Sequence, residues 1–426
     1  MSGGLARVGG TGLHGRRVAP WLAAGMLAIS ASALSQGIYP GGPSKDGYKL
    51  PGGFEPVVHL RTYYMDSESL TGSESAAWAL GGWAGVRSPW WGDLFQVGIV
   101  GYTSLKLYGP EDKDGTRLLG PGQEPIAVIG EAFAALRIAG QTIAGYRQLI
   151  NRPFINPQDN RMVPNTFEAY TLTGAASGVA YTGGYITKMK ARQSESFVWM
   201  SKTAGGTGSE EGVYYAGATW DFTKNGYVRV DAQYADEVFS TFYVDAKVPV
   251  AIDDQTSLTL GAQYYPQKSV GAAQIGSFST HGVGLQAAVA RGPAGLQLYY
   301  TQTGKGFDTQ SPYGSHASYL DMQQVPFNTA GERAWGIGGN VNFTALGVPG
   351  LTAAVLYAAG TDRIDAKTGS AIADRSETNV RADYAVGKGS VLEGMVATVR
   401  YSWLRQDGAQ QTAPQLRIYV NYPIRF

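Results

Sequence analysis

Gln415-Leu416-Arg417-Ile418-Tyr419-Val420-Asn421-Tyr422-Pro423-Ile424-Arg425-Phe426 alternates in character along its whole length. Leu416, Ile418, Val420, Tyr422, Ile424 and Phe426 fall on one side of an extended backbone. Gln415, Arg417, Tyr419, Asn421 and Arg425 fall on the other, with Pro423 near the end. A period of two belongs to a strand with one apolar and one polar face. The same arrangement recurs upstream, where Val228, Val230, Ala232 and Tyr234 alternate with Tyr227, Arg229, Asp231 and Gln233.

Working outward from these two stretches, about eighteen such segments are found, long enough to cross a membrane as strands of ~9–11 residues. They are 54–65, 75–87, 93–107, 125–138, 140–149, 167–176, 178–190, 212–222 and 225–236 in the first half. The second half gives 238–249, 255–265, 278–290, 293–303, 333–344, 350–361, 376–387, 393–405 and 414–426. Short turn signals such as Lys224-Asn225-Gly226, Asp253-Asp254 and Gly292-Pro293 alternate with long polar connections at 108–124, 150–166, 191–211, 266–277, 304–332, 362–375 and 406–413. Short turns on one rim and long loops on the other are the pattern of an outer-membrane barrel.

Composition narrows the chemistry. The 426 residues include 59 Gly, 26 Tyr and no Cys, which excludes disulfides and thiol catalysis. Charged residues are only 16%, and Lys+Arg 34 against Asp+Glu 33 leaves no basic footprint for nucleic acid. Arg7, Arg16 and Arg17 precede an apolar run from Val18 to Leu34 that ends in small residues, the order of a secretory signal peptide. Residues 1–35 are therefore expected to be cleaved after Ala33 or Ser35, leaving 36–426 as one barrel domain. Removing those three arginines leaves 31 basic residues against 33 acidic, a net of −2.

A soluble β-sandwich also alternates, but it would rarely need so many long strands with so uniform a polar face. Trp220, Phe222, Tyr264, Tyr384, Trp403, Tyr422 and Phe426 lie near segment ends on the apolar faces, where rings favour a membrane interface. In lipid such a sheet must close, since an open edge strands its backbone groups. The expected fold is all-β: a transmembrane antiparallel β-barrel of about eighteen strands.

Two loops carry further information. Gly145–Glu168 (GYRQLINRPFINPQDNRMVPNTFE) resembles the third-loop region of the OprD family of porins, which runs from a strand end through Pro and Asp-x-Arg to Pro-x-Thr-Phe. Ser311–Ser315 (SPYGS), continuing through Tyr319 to Phe327–Trp335 (FNTAGERAW), resembles that family's Pro-Tyr/Phe-Gly … Phe-Asn-x-Ala-Gly-Glu-x-Ala-Trp stretch. The resemblance implies a monomeric eighteen-stranded channel in the bacterial outer membrane with a loop folded into its lumen. It also implies selectivity for carboxylate-bearing small molecules, guided by basic side chains on the wall. Some branches of the family take chito-oligosaccharides. The reduced charge of this chain argues against carrying over the specificity of the amino-acid-uptake members. Phe426, with Tyr422 and Ile424 on its face, resembles the terminal aromatic signal read by the barrel-insertion machinery.

Strand parity and charge give the wall candidates Arg61, Arg137, Arg147, Arg229, Lys247, Arg381, Arg400 and Arg417. Arginine suits the task because its planar fork replaces the water lost by a carboxylate with two hydrogen bonds, and rings of such residues make pores anion-preferring. Each could instead neutralise a neighbouring acid, such as Arg229 with Asp231 or Asp245, or Arg381 with Asp383. Arg147, which immediately precedes the loop, is expected to weigh most. Within loop 150–166, Arg152, Asp159 and Arg161 supply charges of both signs at the constriction, while Pro153, Pro157 and Pro164 stiffen it. Loop 304–332, with Tyr313, His316, Tyr319 and Asp321, is a second candidate to fold inward.

The four histidines show no metal-ligand spacing, and glycines at 336, 338 and 339 sit on a strand rather than before a helix, so neither metal nor cofactor is expected. The expected partners are small solutes, outer-membrane lipid and the insertion machinery. A passive substrate-selective porin is the leading reading. A barrel hydrolase with a Ser or His at the rim, and a loop-displaying adhesin, are the alternatives.

Overall fold

The structure, a computed structural model, describes residues 49–409 and 411–424. The proposed signal peptide, 1–35, and the terminal Phe426 lie outside the described residues. The strands of the first half are β1 (Glu55–Glu68), β2 (Glu74–Arg87), β3 (Phe95–Tyr108), β4 (Ile126–Ile138), β5 (Gln141–Gln148), β6 (Thr166–Ala176), β7 (Val179–Lys190), β8 (Phe197–Trp199) and β9 (Val213–Thr223). Then come β10 (Gly226–Ala235), β11 (Phe239–Ala251), β12 (Thr256–Ser269), β13 (Ser279–Arg291), β14 (Ala294–Thr303) and β15 (Arg333–Asn342). The last are β16 (Leu351–Thr361), β17 (Arg375–Ala385), β18 (Val396–Gln406) and β19 (Ala413–Ile424).

Successive strands pair antiparallel, and β1 pairs with β19, with Leu60 opposite Tyr422 and Arg61 opposite Asn421. The sheet therefore closes on itself. β8 pairs only with β7 and stands apart from the wall, since β7 continues directly to β9. The other strands are the eighteen segments of the sequence, with ends moved by a few residues: the segment 255–265 extends to Ser269, and 393–405 begins at Val396.

Alternation sets the two faces. Leu60, Ile99, Val230, Ile337, Val399 and Ile418 point outward and are exposed, as lipid-facing side chains must be. Trp78, Trp220, Tyr264, Tyr384 and Trp403 also face out. Their neighbours in sequence, including Arg61, Asp231, Arg400 and Arg417, point inward and are buried. The turns on one rim are tight. Ala139-Gly140 and Ser177-Gly178 each have positive φ at both residues, 49° and 77°, then 51° and 79°. That is the backbone a two-residue hairpin needs to follow strand twist, and it explains Gly at the second position.

On the other rim, loop 149–165 and loop 304–332 turn into the barrel. Their apolar residues build the interior that the sequence, read as a wet lumen, did not announce. Ile150, Ile155 and Tyr313 from the two loops pack with Phe167, Ile186, Val213, Phe239 and Phe278. Tyr319, Leu320, Met322 and Phe327 pack on Tyr299, Ala334, Leu356 and Ala358 of the wall. The inward faces of β6, β9, β11 and β14–β16 thus carry apolar patches that seat these loops.

Candidate functional site

The barrel's register brings three arginines of the final strands into one row. Arg381 on β17 lies directly opposite Arg400 on β18, which lies opposite Arg417 on β19. β1, next around the wall, adds Arg61 beside Asn421. Like charges facing each other across a ladder are unfavourable, so each guanidinium needs an answer nearby. Arg381 forks onto Asp383 at 2.6 and 2.9 Å. Arg61 forks onto Asp159 of the inward loop at 2.5 and 3.0 Å, and its Nε donates to Asn421 Oδ1 at 2.6 Å. Among the described residues Arg417 donates to neutral groups, Gln415 Oε1 at 2.7 Å and the Gln323 carbonyl at 2.8 Å. Arg400 Nη2 and Arg417 Nη1 are buried without hydrogen-bond partners among the described residues.

Loop 149–165 crosses between nearly opposite walls. At one end Arg152 forks onto Asp231 of β10 at 2.7 and 2.9 Å. At the other, Asp159 holds Arg61, Tyr63 donates to the Asn160 carbonyl at 3.3 Å, and Arg161 donates to the Thr116 carbonyl at 2.7 Å. Loop 304–332 braces it. Asn156 Nδ2 donates to the Ser315 carbonyl at 3.1 Å, and Ser315 N–H returns a bond to Asn156 Oδ1 at 2.9 Å. Further along, Gln323 and Gln324 both donate to Ser402 Oγ at 2.9 Å, and Glu377 accepts from the Gln324 and Val325 N–H groups. The two loops lie over the arginine row, leaving Arg61, Arg400 and Arg417 no more than 2% exposed.

The loop side adds two cations that form no ion pair among the described residues. Arg161 and Arg192 are buried, bonding to carbonyl or amide oxygens only. Burial pushes the Arg161 guanidinium well down from its ordinary value, with Arg417 and Arg192 adding repulsion. Burial, Arg117 and Arg417 push Arg192 down to about 9.

Other wall residues are placed as follows. Arg229 and Lys247 face the lumen from β10 and β11, Lys247 lying 5.6 Å from the Tyr319 ring centre. The acids expected to neutralise Arg229 are engaged elsewhere. Asp231 holds Arg152, and Asp245 accepts from Tyr227 and Tyr319 at 2.6 and 2.7 Å. Arg137 sits beside the tight turn to β5, far along β4 from the loop, paired with Asp93 and 4.0 Å from the Trp90 ring centre. Glu131, on the same face of β4, bonds instead with Arg87 and Tyr102.

Arg147 is a correction. It lies two and four positions from Gly145 and outward-facing Ile143, opposite Glu168 on β6, whose alternate neighbours Tyr170 and Leu172 are also outward. It bonds Glu168 Oε1 at 3.1 Å and the Ile129 carbonyl at 3.1 Å, under the ring of Phe197. It seals the wall where β5 is too short to pair with the upper part of β4, rather than lining the lumen.

Gln323, Gln324, Glu377 and Arg192 were not foreseen. Only the inward parity of Glu377 was available as a signal. Among the described residues no cluster of three His, Asp or Glu could hold a metal ion.

A family profile described as outer membrane porin, OprD family, matches residues 53–426. The chain belongs to the OprD family of porins. It is 24% identical to Porin D of Pseudomonas aeruginosa over 407 residues, covering 86% of this chain and 89% of that one. It is also 24% identical to the porin-like protein GalP of Pseudomonas putida over 350 residues, 78% and 80% of the two chains. The fold matches that of Pseudomonas aeruginosa OpdK, crystallised with vanillate, at a TM-score of 0.79 and 22% identity, covering 88% and 99% of the chains. A BenF-like porin from Pseudomonas fluorescens matches at a TM-score of 0.80 and 19% identity, with the same coverage. This OprD-family chain is thus a bacterial outer-membrane channel protein, and the hydrolase alternative is set aside.

Proposed function

We propose that this OprD-family porin passes small anionic solutes, carboxylates foremost, along the wall formed by Arg381, Arg400 and Arg417. The observation that carries the reading is the cross-strand row itself, in which two guanidiniums keep an unpartnered nitrogen. Asp231 and Asp245 stand on a distant wall, where Arg152, Arg229 and Lys247 offset them, so neither side of the lumen is left acidic. A solute carboxylate approaching the row finds bidentate donors in place of lost water. It also finds Asp159 already seated on Arg61, a carboxylate supplied by the chain itself. Competition for Arg61 would lift the loop from the row and open the path. The relatives are consistent with this: OpdK was crystallised with vanillate, and OpdF of Pseudomonas aeruginosa in complex with glucuronate, both carboxylates.

The test is single-channel recording in planar bilayers. Arg400→Gln and Arg417→Gln should shift the reversal potential in asymmetric salt away from anions. Each should weaken benzoate-type blockade about threefold to tenfold, well below the full Coulomb energy, because water and nearby acids screen the site. Uncharged sugars should pass as before. Blockade by chito-oligosaccharides that exceeds blockade by carboxylates, with both variants unchanged, would replace this reading by a sugar channel.

A further inference from the structure

Behind the inward loop, against the β1–β19 seam, is a small cavity lined by Arg61, Tyr63, Arg161, Arg400, Tyr419 and Asn421, with Asp159 and Asn160 completing the wall. Its free volume is about 10 Å³, room for one water-sized particle. Three of its lining side chains carry a buried polar atom with no hydrogen-bond partner among the described residues: Arg400 Nη2, Tyr419 OH and Asn421 Nδ2. The orientation of Asn421 is fixed independently. Its Oδ1 accepts from Arg61 Nε at 2.6 Å and lies 3.0 Å from His59 Nε2, so its Nδ2 has to donate elsewhere. Tyr63 and Tyr419 have ring centres 4.7 Å apart and hold that corner of the cavity.

The charge balance around the cavity is one-sided. Asp159 answers Arg61, and Asp383 answers Arg381. Among the described residues, Arg161, Arg192, Arg400 and Arg417 form no ion pair, although all four are buried. Buried unpaired charges are strongly unfavourable. A water molecule could bridge the three groups, with the Tyr419 hydroxyl accepting, but it brings no charge to answer the arginines. A carboxylate group is too large for the space while the loop is seated. A cation is excluded by the arginines.

We propose that this cavity is a binding site for one monatomic halide, chloride in ordinary surroundings, held by Arg400 Nη2, the Tyr419 hydroxyl and Asn421 Nδ2. The bound halide supplies the negative charge that the loop and wall arginines lack, and it fastens the loop against the β1–β19 seam. It is a resident of the seated-loop state rather than a transported solute. Its presence does not depend on which solute the channel selects, so failure here leaves the carboxylate reading to be judged by conductance alone.

Two measurements test it on the folded barrel in detergent. Crystals soaked in bromide should show one anomalous peak inside the cavity, within hydrogen-bond distance of Arg400, and Arg400→Met should lose it. Thermal unfolding at fixed ionic strength should show Tm rising saturably as chloride replaces methanesulfonate, which is too large for the space. In Arg400→Met that rise should vanish. Should Arg400→Met not fold, Tyr419→Phe keeps the ring stack while removing one donor, and should raise the half-saturating chloride concentration about tenfold. A cavity holding water alone, or bromide confined to the protein surface as an adventitious ion only, overturns the proposal. So does a chloride dependence that is identical in the wild type and the variants.

Discussion

At the scale of single residues, Asp159 decides how the arginine row presents itself. It gives Arg61 a carboxylate from within the chain and pins the loop to β1 in the same contact. Asp159→Asn should therefore do two things. It should shift the reversal potential toward anions, opposite in sign to Arg400→Gln, because one fixed negative charge leaves the constriction. It should also destabilise the folded barrel by about 3 kcal/mol, since a buried guanidinium is left unpaired. A variant with unchanged reversal potential and unchanged Tm would remove Asp159 from both roles. Arg147 is the counter-case. Its charge and its place before the loop suggested the largest effect on selectivity, yet its register puts it on the outer side of the wall with Glu168. Arg147→Gln should leave the reversal potential unchanged and cost only about 1 kcal/mol, because the pair is partly exposed.

At the scale of elements, the strands were readable because lipid imposes a simple rule on one face. Val230 points outward and Arg229 inward, and the alternation of β10 alone says so. Val230→Arg should cost roughly 2–4 kcal/mol near the bilayer midplane, while Arg229→Gln should change stability little. Equal unfolding midpoints for the two variants would show that the faces have been exchanged. The same rule, applied to β5 from Ile143, places Arg147 outside, where its charge pairs with Glu168. The loops obey no such local rule. Asn156 meets Ser315, which is 159 residues away in sequence, and Arg152 meets Asp231, 79 residues away. The motifs of these loops marked them as related to inward-folded porin loops. Their partners could be found only once the barrel brought distant strands together. Bulges add a second obstacle. The register of β4 against β3 shifts beside Gly130, so parity counted from Ile126 gives the wrong face for Glu131 and Arg137.

At the scale of the whole molecule, the barrel and its two loops form units of different strength. The wall is a closed ladder of backbone hydrogen bonds, whereas the loops are held by side chains and a few isolated backbone bonds, and such segments open at lower free energy. His316 reports on the second unit. It lies in loop 304–332, its ring centre 6.2 Å from that of Phe154 in the other loop, with Asn328 Nδ2 3.3 Å from its Nε2. Burial pushes the imidazole down to about 4 from its ordinary 6.5. The seated loops therefore hold His316 neutral, while the unseated, solvated histidine takes up a proton below about 6.5. The sign follows: the contribution is fully present above 6.5, declines as pH falls from there, and is exhausted near 4. Over that range the seated state loses about 3 kcal/mol relative to the unseated one. Single-channel records should show more frequent loop-type transitions as pH drops from 6.5 to 4.5, while the barrel stays intact by its heat-modifiable mobility. Carboxylates also begin to titrate at the lower end, so His316→Gln is the discriminating variant. It should flatten the pH dependence above about 5, where acids with ordinary values remain ionised. The same slope in both proteins would assign the transition to the carboxylates, and would leave His316 as packing between two loops.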